Sequence, residues 1–364
     1  MDRNSHIEGI VFWLTGALVL ARLGACSSVG PTVISSGRLA YNEAIIATEN
    51  QQMLMLAIHT RYGERSNLLA VSSVTANVSI TTRASVEVGV GDAENFAGNL
   101  VPFGAGVIYE DNPTISYLPV GGEKHMRQLF SPIPIVVMAE LLSRMTNPKP
   151  IYTALIWSVN GIHNPDFLAP AVQPDPRFER FVTLMDTLTQ AHRLHWIESE
   201  QPGAAFSIAI DRYSAGYENE ISELLSLLGL PPAADDSEPV LIPVALALHG
   251  RKADGIGIST RSVWELVEVL SASVEVPKED LENNVAATYP PLGPVGQGVR
   301  VRVTDTKPDH AYVAVEYRDH WFYIDEGDQT TKAFFRIVGG LLGVTIAEST
   351  VPGRAAPVLT VPVN

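Results

Sequence analysis

The chain has 364 residues, of which 46% are hydrophobic and 18% charged, and its formal net charge is −15 at pH 7. This acidity argues against nucleic acid or anionic lipid headgroups as partners, and the apolar content excludes a disordered chain. A chain of this length is long for one hydrophobic core and suits two.

The N-terminus carries the pattern of an export signal. Residues 10–21 read IVFWLTGALVLA, an uninterrupted apolar run. A membrane-spanning helix needs about 20 such residues, whereas the hydrophobic region of a signal peptide is shorter, as this run is. Arg3 lies before the run, in the place of the basic segment of such signals. We therefore predict a lipoprotein signal peptide over residues 1–25.

Cys26 is the only cysteine in the chain, so it cannot form an internal disulfide. The preceding Leu23, Gly24 and Ala25 resemble the bacterial lipobox, in which small residues fit the signal peptidase and the thiol accepts a diacylglyceryl group. We predict that Cys26 is lipidated and begins the mature chain, followed by a flexible tether over residues 26–37. The alternative is an ordinary cleaved signal or a short uncleaved anchor, with an incidental cysteine.

Hydrophobic periodicity predicts an α+β region over residues 38–169 that is rich in helices and contains a small β region. The first helix is predicted from about residue 38 to 62, with Gly63 as its stop. Further along, the patterns predict strands in VTANVSI, VEVGV and TISYLPV, a loop over residues 91–106, and helices in IVVMAELLSRM and over residues 152–159.

A second α+β region is predicted over residues 170–364, after the proline-rich stretch NPDFLAPAVQPDP. Asp175 and Pro176 are predicted to open a helix that continues to about Ile197. Strands are predicted in FSIAI, PVLIPVALAL, VRVRV and PVLTVPV, and a hairpin in AYVAVEY and WFYID. Helices are predicted in YENEISELLSLLG, in RSVWELVEVLS, where Ser262 and Glu265 form a capping box, and from about Thr331. Because no serial βαβ pattern occurs, we predict a mainly antiparallel sheet flanked by helices in this C-terminal half.

Several stretches of the mature chain follow one another in an order that a known family shares. They include GRLAYNEAIIATENQQMLMLAIHTRYGE, PTISYLPVGGEKHMRQLFSPIP, ISTRSVWELVEVLSASVEVP and AYVAVEYRDHWFYIDEGDQTTKAFF. In these stretches the chain resembles a family of uncharacterised Gram-negative outer-membrane lipoproteins, whose members often have Gly where Asp319 stands. The resemblance implies a protein anchored at the outer membrane and facing the periplasm. It implies no activity and no catalytic residue.

The segment AHRLHWIESE offers a possible metal site. On one continuous helix His192, His195 and Glu198 would share a face, and imidazole and carboxylate groups suit zinc. The alternative is the solvent side of an amphipathic helix near its C-terminus, where the helix dipole favours His. No HExxH motif supports a metal, so we favour this second interpretation.

Acidic residues also cluster in YIDEGDQTTK, but they lack the alternation of a calcium-binding EF-hand loop. We predict instead that Asp328 or Thr330 caps the helix that follows.

No motif of an enzyme is present in the sequence. The chain lacks a G-x-S-x-G nucleophile elbow, and GVGD and FGAGV lack the spacing of phosphate-binding loops. We therefore expect no cofactor and favour a non-enzymatic role. An envelope enzyme, or a ligand-binding protein acting on peptidoglycan, polysaccharide or a small solute, is the alternative.

The aromatic run HWFYI, residues 320–324, indicates where a partner could bind. On a strand, Trp321 and Tyr323 share one side while Phe322 occupies the other. The side with Trp321 and Tyr323 is either covered by a helix or exposed as a surface for an envelope protein or glycan. The predicted function is thus a lipid-anchored scaffold or assembly subunit at the outer membrane, with a membrane anchor, a protein partner and no nucleic acid.

Overall fold

A computed structural model describes residues 39–75, 78–86, 103–111, 114–144, 147–199, 204, 206–211, 216–232, 239–247, 255–349 and 359–362. The predicted signal peptide, Cys26 and the tether lie outside these residues. By its internal contacts the chain divides into two units, Met1–Leu54 and Met55–Asn364. Helix α1, over residues 39–61, begins in the first unit and ends in the second. It stops before Gly63, which has a φ of 69°, so the predicted first helix is confirmed.

The fold class is α+β, as the sequence predicts. The helices after α1 are α2 (Glu123–Phe130), α3 (Ile135–Arg144), α4 (Lys149–Leu155), α5 (Pro176–Gln190), α6 (Glu218–Leu227), α7 (Val263–Ala272), α8 (Lys278–Glu282) and α9 (Gln329–Ser349). A short 3-10 helix covers Pro294–Gly296.

The largest sheet in the described part of the chain has six strands. They are β5 (Ile156–Val159), β6 (Ile162–His163), β7 (Leu194–Glu198), β8 (Phe206–Ile210), β9 (Val240–Leu246) and β10 (Ile256–Thr260). Their order is β6-β5-β10-β9-β8-β7, and every neighbouring pair is antiparallel except β9 and β10. The central strand β10 is buried along its whole length, so the core of the second unit lies on both sides of this sheet.

Three smaller groups of strands complete the described β structure. Their strands are β1 (Leu68–Thr75), β2 (Val78–Val86), β3 (Phe103–Asp111), β4 (Thr114–Val120), β11 (Arg302–Thr304), β12 (Ala311–Tyr317), β13 (His320–Asp325) and β14 (Leu359–Pro362). They pair in the orders β1-β4-β14, β2-β3 and β11-β13-β12. The predicted strand TISYLPV is β4. The predicted loop over residues 91–106 is wrong at its end, because β3 begins at Phe103 and pairs with β2 there.

Side-chain caps predicted from the sequence are present at three helix starts. Each cap is an oxygen that accepts a hydrogen bond from a backbone N–H in the first helical turn. The pairs are Asp175 with Arg177 at 3.0 Å, Ser262 with Glu265 at 3.2 Å and Asp328 with Thr331 at 3.0 Å.

Helix α9 is, among the described residues, the one helix long and apolar enough to cross a membrane, over Gln329–Ala347 with a mean hydropathy of 1.2. One of its faces is nevertheless buried, with the three- and four-residue spacing of an amphipathic helix. The buried side chains are Thr331, Phe334, Phe335, Val338, Leu341, Leu342 and Thr345. This face packs against α2, α4 and α7, which is the arrangement of a core helix.

A single buried arginine joins the largest sheet to the helix that precedes it. Arg261 follows β10, is fully buried, and directs its guanidinium at the junction of α4 and β5. Its Nη1 donates to the carbonyl oxygens of Thr153, Ala154 and Ile156 at 3.2, 3.0 and 2.7 Å. Carbonyls in the last turn of a helix have no partner within the helix. The guanidinium donates to that of Ala154 and shares those of Thr153 and Ile156 with the side-chain amide of Asn164.

The charge of Arg261 is balanced by the loop that follows β6. Nε donates to the carboxylate of Asp166, and Nη2 donates to the carbonyl oxygen of Asn164. Burial lowers the pKa of Arg261, and the charge of Asp166 opposes that shift. Gly293 closes over the same loop, because its N–H donates to the Asp166 carbonyl oxygen at 2.6 Å. A Cβ at Gly293 would lie 1.9 Å from the Pro165 carbonyl oxygen, so only glycine fits.

The helix predicted over residues 152–159 is wrong in its second half. Helix α4 ends at Leu155, and Ile156–Val159 is β5, which pairs with β10. Asn160 and Gly161 then turn the chain into β6 with φ angles of 45° and 81°. An Asn-Gly pair suits such a turn, and Arg261 holds the carbonyls at the end of α4, so the chain leaves the helix there.

We expect Arg261→Met to lower the free energy of unfolding by about 3–5 kcal/mol, because it leaves the carboxylate of Asp166 without its charged partner and removes the hydrogen bonds from Arg261 to buried carbonyls. Urea denaturation followed by circular dichroism measures the change. Arg300→Met is the control, since the Arg300 side chain is 62% exposed and 4.0 Å from Glu275; it should change stability by less than about 1 kcal/mol. Equal losses in both variants would contradict a central role for Arg261.

Candidate functional site

The sheet of β11, β13 and β12 has one buried and one outer side. In the central strand β13, Phe322 and Ile324 are fully buried, whereas Trp321 and Tyr323 are partly exposed on the opposite side. Val315 lies beside Phe322 and is also buried. The predicted division of the aromatic residues between two sides is therefore confirmed; their contact with a partner remains a prediction.

The outer side of this sheet combines aromatic and charged groups. We call it the aromatic face; it consists of Trp321, Tyr323 and the adjacent Arg302, Thr304, Lys307, Ala314 and Glu316. The ammonium of Lys307 lies 5.5 Å from the centre of the Trp321 ring, within the range of a cation–π contact. Arg302 and Glu316 are exposed on the two flanking strands. The result is two rings side by side with charges of both signs around them.

The hairpin that carries this face turns through two residues in a left-handed conformation. Arg318 and Asp319 have φ angles of 50° and 63°, and Tyr317 pairs with His320 on either side of them. Such a two-residue turn usually contains Asn and Gly, because a side chain makes positive φ unfavourable. The guanidinium of Arg318 lies 5.4 Å over the ring of Tyr62, which explains an arginine in this position.

Tyr62, which lies between α1 and β1, contacts both the hairpin and helix α8. Its hydroxyl donates to the carboxylate of Asp280 at 2.6 Å, and its ring lies 5.0 Å from the ring of Tyr317. Burial, and then the hydrogen bond to Asp280, raise the pKa of Tyr62 well above its ordinary value. The hydroxyl therefore stays protonated and the contact persists at neutral pH.

A second candidate site is an open cleft of about 970 Å³ where α3 and α5 end and where α4 and β7 begin. We call it the α5–β7 cleft. Its charged side chains are Arg144, Lys149 and Asp186, and the two imidazoles are His192 and His195. Neutral polar groups are contributed by Ser143, Asn147, Thr189 and Gln190.

Trp196 forms a fixed part of the wall of the α5–β7 cleft. Its indole N–H donates to the hydroxyl of Tyr152 at 3.3 Å, and Tyr152 is fully buried. Burial raises the pKa of Tyr152 to about 12, so this hydroxyl stays protonated. The hydrogen bond fixes the orientation of the indole in the wall of the cleft.

The two histidines predicted to share a helical face do not lie on a helix. Helix α5 ends at Gln190, His192 has a φ of 54°, and His195 lies in β7, so the predicted helix to Ile197 is wrong. The N–H of Arg193 bonds back to the Leu188 carbonyl oxygen at 2.8 Å, which closes the helix end. Glycine is the usual residue where a helix ends in a left-handed conformation, so a histidine at position 192 does not indicate that the helix ends there.

Both histidines nevertheless line the α5–β7 cleft. His195 Nε2 lies 3.3 Å from Asp211 Oδ2, and His192 is exposed. In the part of the chain that the structure describes, no group of three or more His, Cys, Asp or Glu side chains could hold a metal ion. Sequence spacing does not identify Arg144, Lys149 and Asp186 as residues of this site, because they come from three separate helices and carry no local motif.

Comparison of the chain with protein-family models, with curated proteins and with solved structures finds no match. The resemblance to outer-membrane lipoproteins therefore stays a prediction.

We expect Asp319→Gly to raise the free energy of unfolding by about 0.5 kcal/mol, because glycine adopts positive φ without steric cost. The midpoint of thermal unfolding should rise accordingly. Asp309→Gly is the control, since Asp309 is also exposed but is not among the residues with positive φ; it should leave the midpoint unchanged or lower it. A lower midpoint for Asp319→Gly would show that this turn is not strained.

Proposed function

We propose that this chain is a lipid-anchored protein of the bacterial envelope that acts as a non-enzymatic scaffold or assembly subunit. It is held at the outer membrane, faces the periplasm, and binds a protein partner through the aromatic face. The observation that carries this proposal is the position of Trp321 and Tyr323, side by side on the outer side of a sheet whose other side is buried.

The composition of the aromatic face favours a protein as its partner. Tryptophan and tyrosine are among the residues that contribute most to protein–protein binding, and charged groups usually form the rim around them. Here Arg302 and Glu316 place one charge of each sign at the rim. A surface of mixed charge on a chain with a net charge of −15 suits a protein surface that has an apolar centre and charges of both signs.

The rigid support of the aromatic face also favours binding. The rings stand on the central strand of an antiparallel sheet, and Phe322 and Ile324 anchor that strand in the core. A surface that is already ordered loses little conformational entropy when a partner binds.

The lipid anchor rests on the lipobox before Cys26 and on the tether that follows it. Several acyl chains hold a protein to a bilayer far more firmly than one. Ser27, rather than an aspartate, follows Cys26, which supports transport to the outer membrane.

We expect Cys26→Ala to abolish lipidation, because the thiol is the group that accepts the diacylglyceryl chain. Labelled palmitate should no longer enter the protein, and the protein should leave the outer-membrane fraction after cell disruption. Ser27→Ala is the control and should retain both label and location. Unchanged membrane association of Cys26→Ala would disprove the lipid anchor.

We expect the native protein, solubilised in mild detergent, to co-purify with a stoichiometric envelope protein. The double variant Trp321→Ala, Tyr323→Ala should lose it, because each such ring commonly contributes about 2 kcal/mol to an interface, or about thirtyfold in affinity. Phe130→Ala is the control, since Phe130 is an aromatic residue that is 49% exposed elsewhere on the protein. Native mass spectrometry measures the particle, and circular dichroism checks the fold of each variant. Equal retention of the partner by both variants would exclude the aromatic face.

A further inference from the structure

We propose that the α5–β7 cleft binds an acidic saccharide, that is, a sugar chain that carries carboxylate groups. The cleft is built from α3, α4, α5 and β7 and shares no residue with the aromatic face. The proposal therefore stands independently of the proposed partner.

The size of the cleft suits an oligosaccharide. Its volume of about 970 Å³ lies at the upper end of the range for small-molecule sites, about 300–1,000 Å³. The cleft is open to solvent, so a chain of sugars can extend beyond it.

Trp196 supplies the surface on which a sugar ring can stack. One side of a pyranose ring presents C–H groups, which pack against the face of an indole, while the hydroxyls point outward from the edge of the ring. The hydrogen bond from Trp196 to Tyr152 holds the indole in place before the ligand arrives. A fixed ring reduces the entropy lost on binding.

Side chains around Trp196 can both donate and accept the hydrogen bonds that sugar hydroxyls require. Asn147 and Gln190 carry amide groups in the lining of the cleft, and such groups both donate and accept. The hydroxyls of Ser143 and Thr189, also in the lining, donate to carbonyl oxygens of their own helices and can accept from a sugar. The amide of Gln190 donates to the Asp186 carboxylate at 3.0 and 3.1 Å, which fixes both side chains relative to each other.

The charge of the cleft indicates an acidic sugar. Among the described residues that line the cleft, Arg144 and Lys149 are two cations against the single carboxylate of Asp186, on a chain whose net charge is −15. Both cations are exposed, so they are free of a buried structural role. A single excess positive charge matches one carboxylate of the ligand better than a doubly charged phosphate.

Isothermal titration of the full-length protein in mild detergent tests this proposal, with tetragalacturonate as the acidic probe. We expect saturable binding of this probe and at least tenfold weaker binding of the uncharged cellotetraose. Lys149→Glu should weaken the binding of tetragalacturonate at least tenfold. Lys278→Glu is the matched control, because Lys278 is exposed and, like Lys149, is the first residue of a short helix after a proline. It should bind the probe as the wild type does.

The contribution of Trp196 is tested by two substitutions. Trp196→Phe retains a ring for stacking and should keep most of the affinity, whereas Trp196→Leu should lose at least tenfold. Citrate, which carries carboxylates without a sugar ring, should bind at least tenfold more weakly than tetragalacturonate. The proposal is overturned if tetragalacturonate does not bind the wild type, if cellotetraose or citrate binds equally well, or if Lys149→Glu and Lys278→Glu do not differ.

Discussion

Arg261 donates hydrogen bonds to the carbonyl oxygens of Thr153, Ala154, Ile156 and Asn164 and to the carboxylate of Asp166, from a fully buried position. Its own backbone extends this network: the N–H donates to the Leu155 carbonyl oxygen, and the carbonyl oxygen accepts from Ile133, both at 2.8 Å. The end of α4, the start of β5 and the segment before α3 are thus held by one residue. Because α3 and α4 carry Arg144 and Lys149, the α5–β7 cleft depends on the same contact.

Buried amides reinforce the arrangement around Arg261. The side-chain amide of Asn160 donates to the carbonyl oxygens of Leu228 and Gly255 at 2.9 and 3.2 Å, and its oxygen accepts from the N–H of Gly257 at 2.8 Å. Asn164 donates to the carbonyl oxygens of two residues that Arg261 also contacts. Buried polar groups are costly when unpaired, so these bonds favour one pairing of β5 with β10 over any shifted register.

The two candidate sites differ in how the chain builds them. The aromatic face comes from residues 302–323, where three strands follow one another and pair locally. The α5–β7 cleft comes from residues 142–196, through two helix ends, one helix start and an edge strand. A partner on the aromatic face and a saccharide in the cleft would therefore bind to separate structural elements, and a change in one site can leave the other intact.

Local patterns were sufficient for much of the fold. Alternation placed Trp321 and Tyr323 on one side of β13, and the caps at Asp175, Ser262 and Asp328 were readable from three or four neighbouring residues. These features depend on contacts within one turn or one strand, which a short window of sequence contains.

Helix ends that depend on distant partners were not readable in this way. The stretch after Leu155 pairs with β10, and the carbonyl oxygen of Ile156 accepts a hydrogen bond from Arg261, more than a hundred residues away. The Asn160-Gly161 pair is a local signal of a turn, but it does not show whether a helix or a strand precedes that turn. At His192, a residue without the usual preference for positive φ ends α5, and the chain continues as β7 beside β8.

The sequence by itself determined the α+β class, the capped starts of α5, α7 and α9 and the two sides of the aromatic strand, because each follows from residues close together in the chain. Only the tertiary structure decided where α4 and α5 end and which side chains meet in the α5–β7 cleft. The physical reason is that hydrogen bonds to buried carbonyls and pairing between distant strands outweigh local propensity, and their partners are set by the fold as a whole.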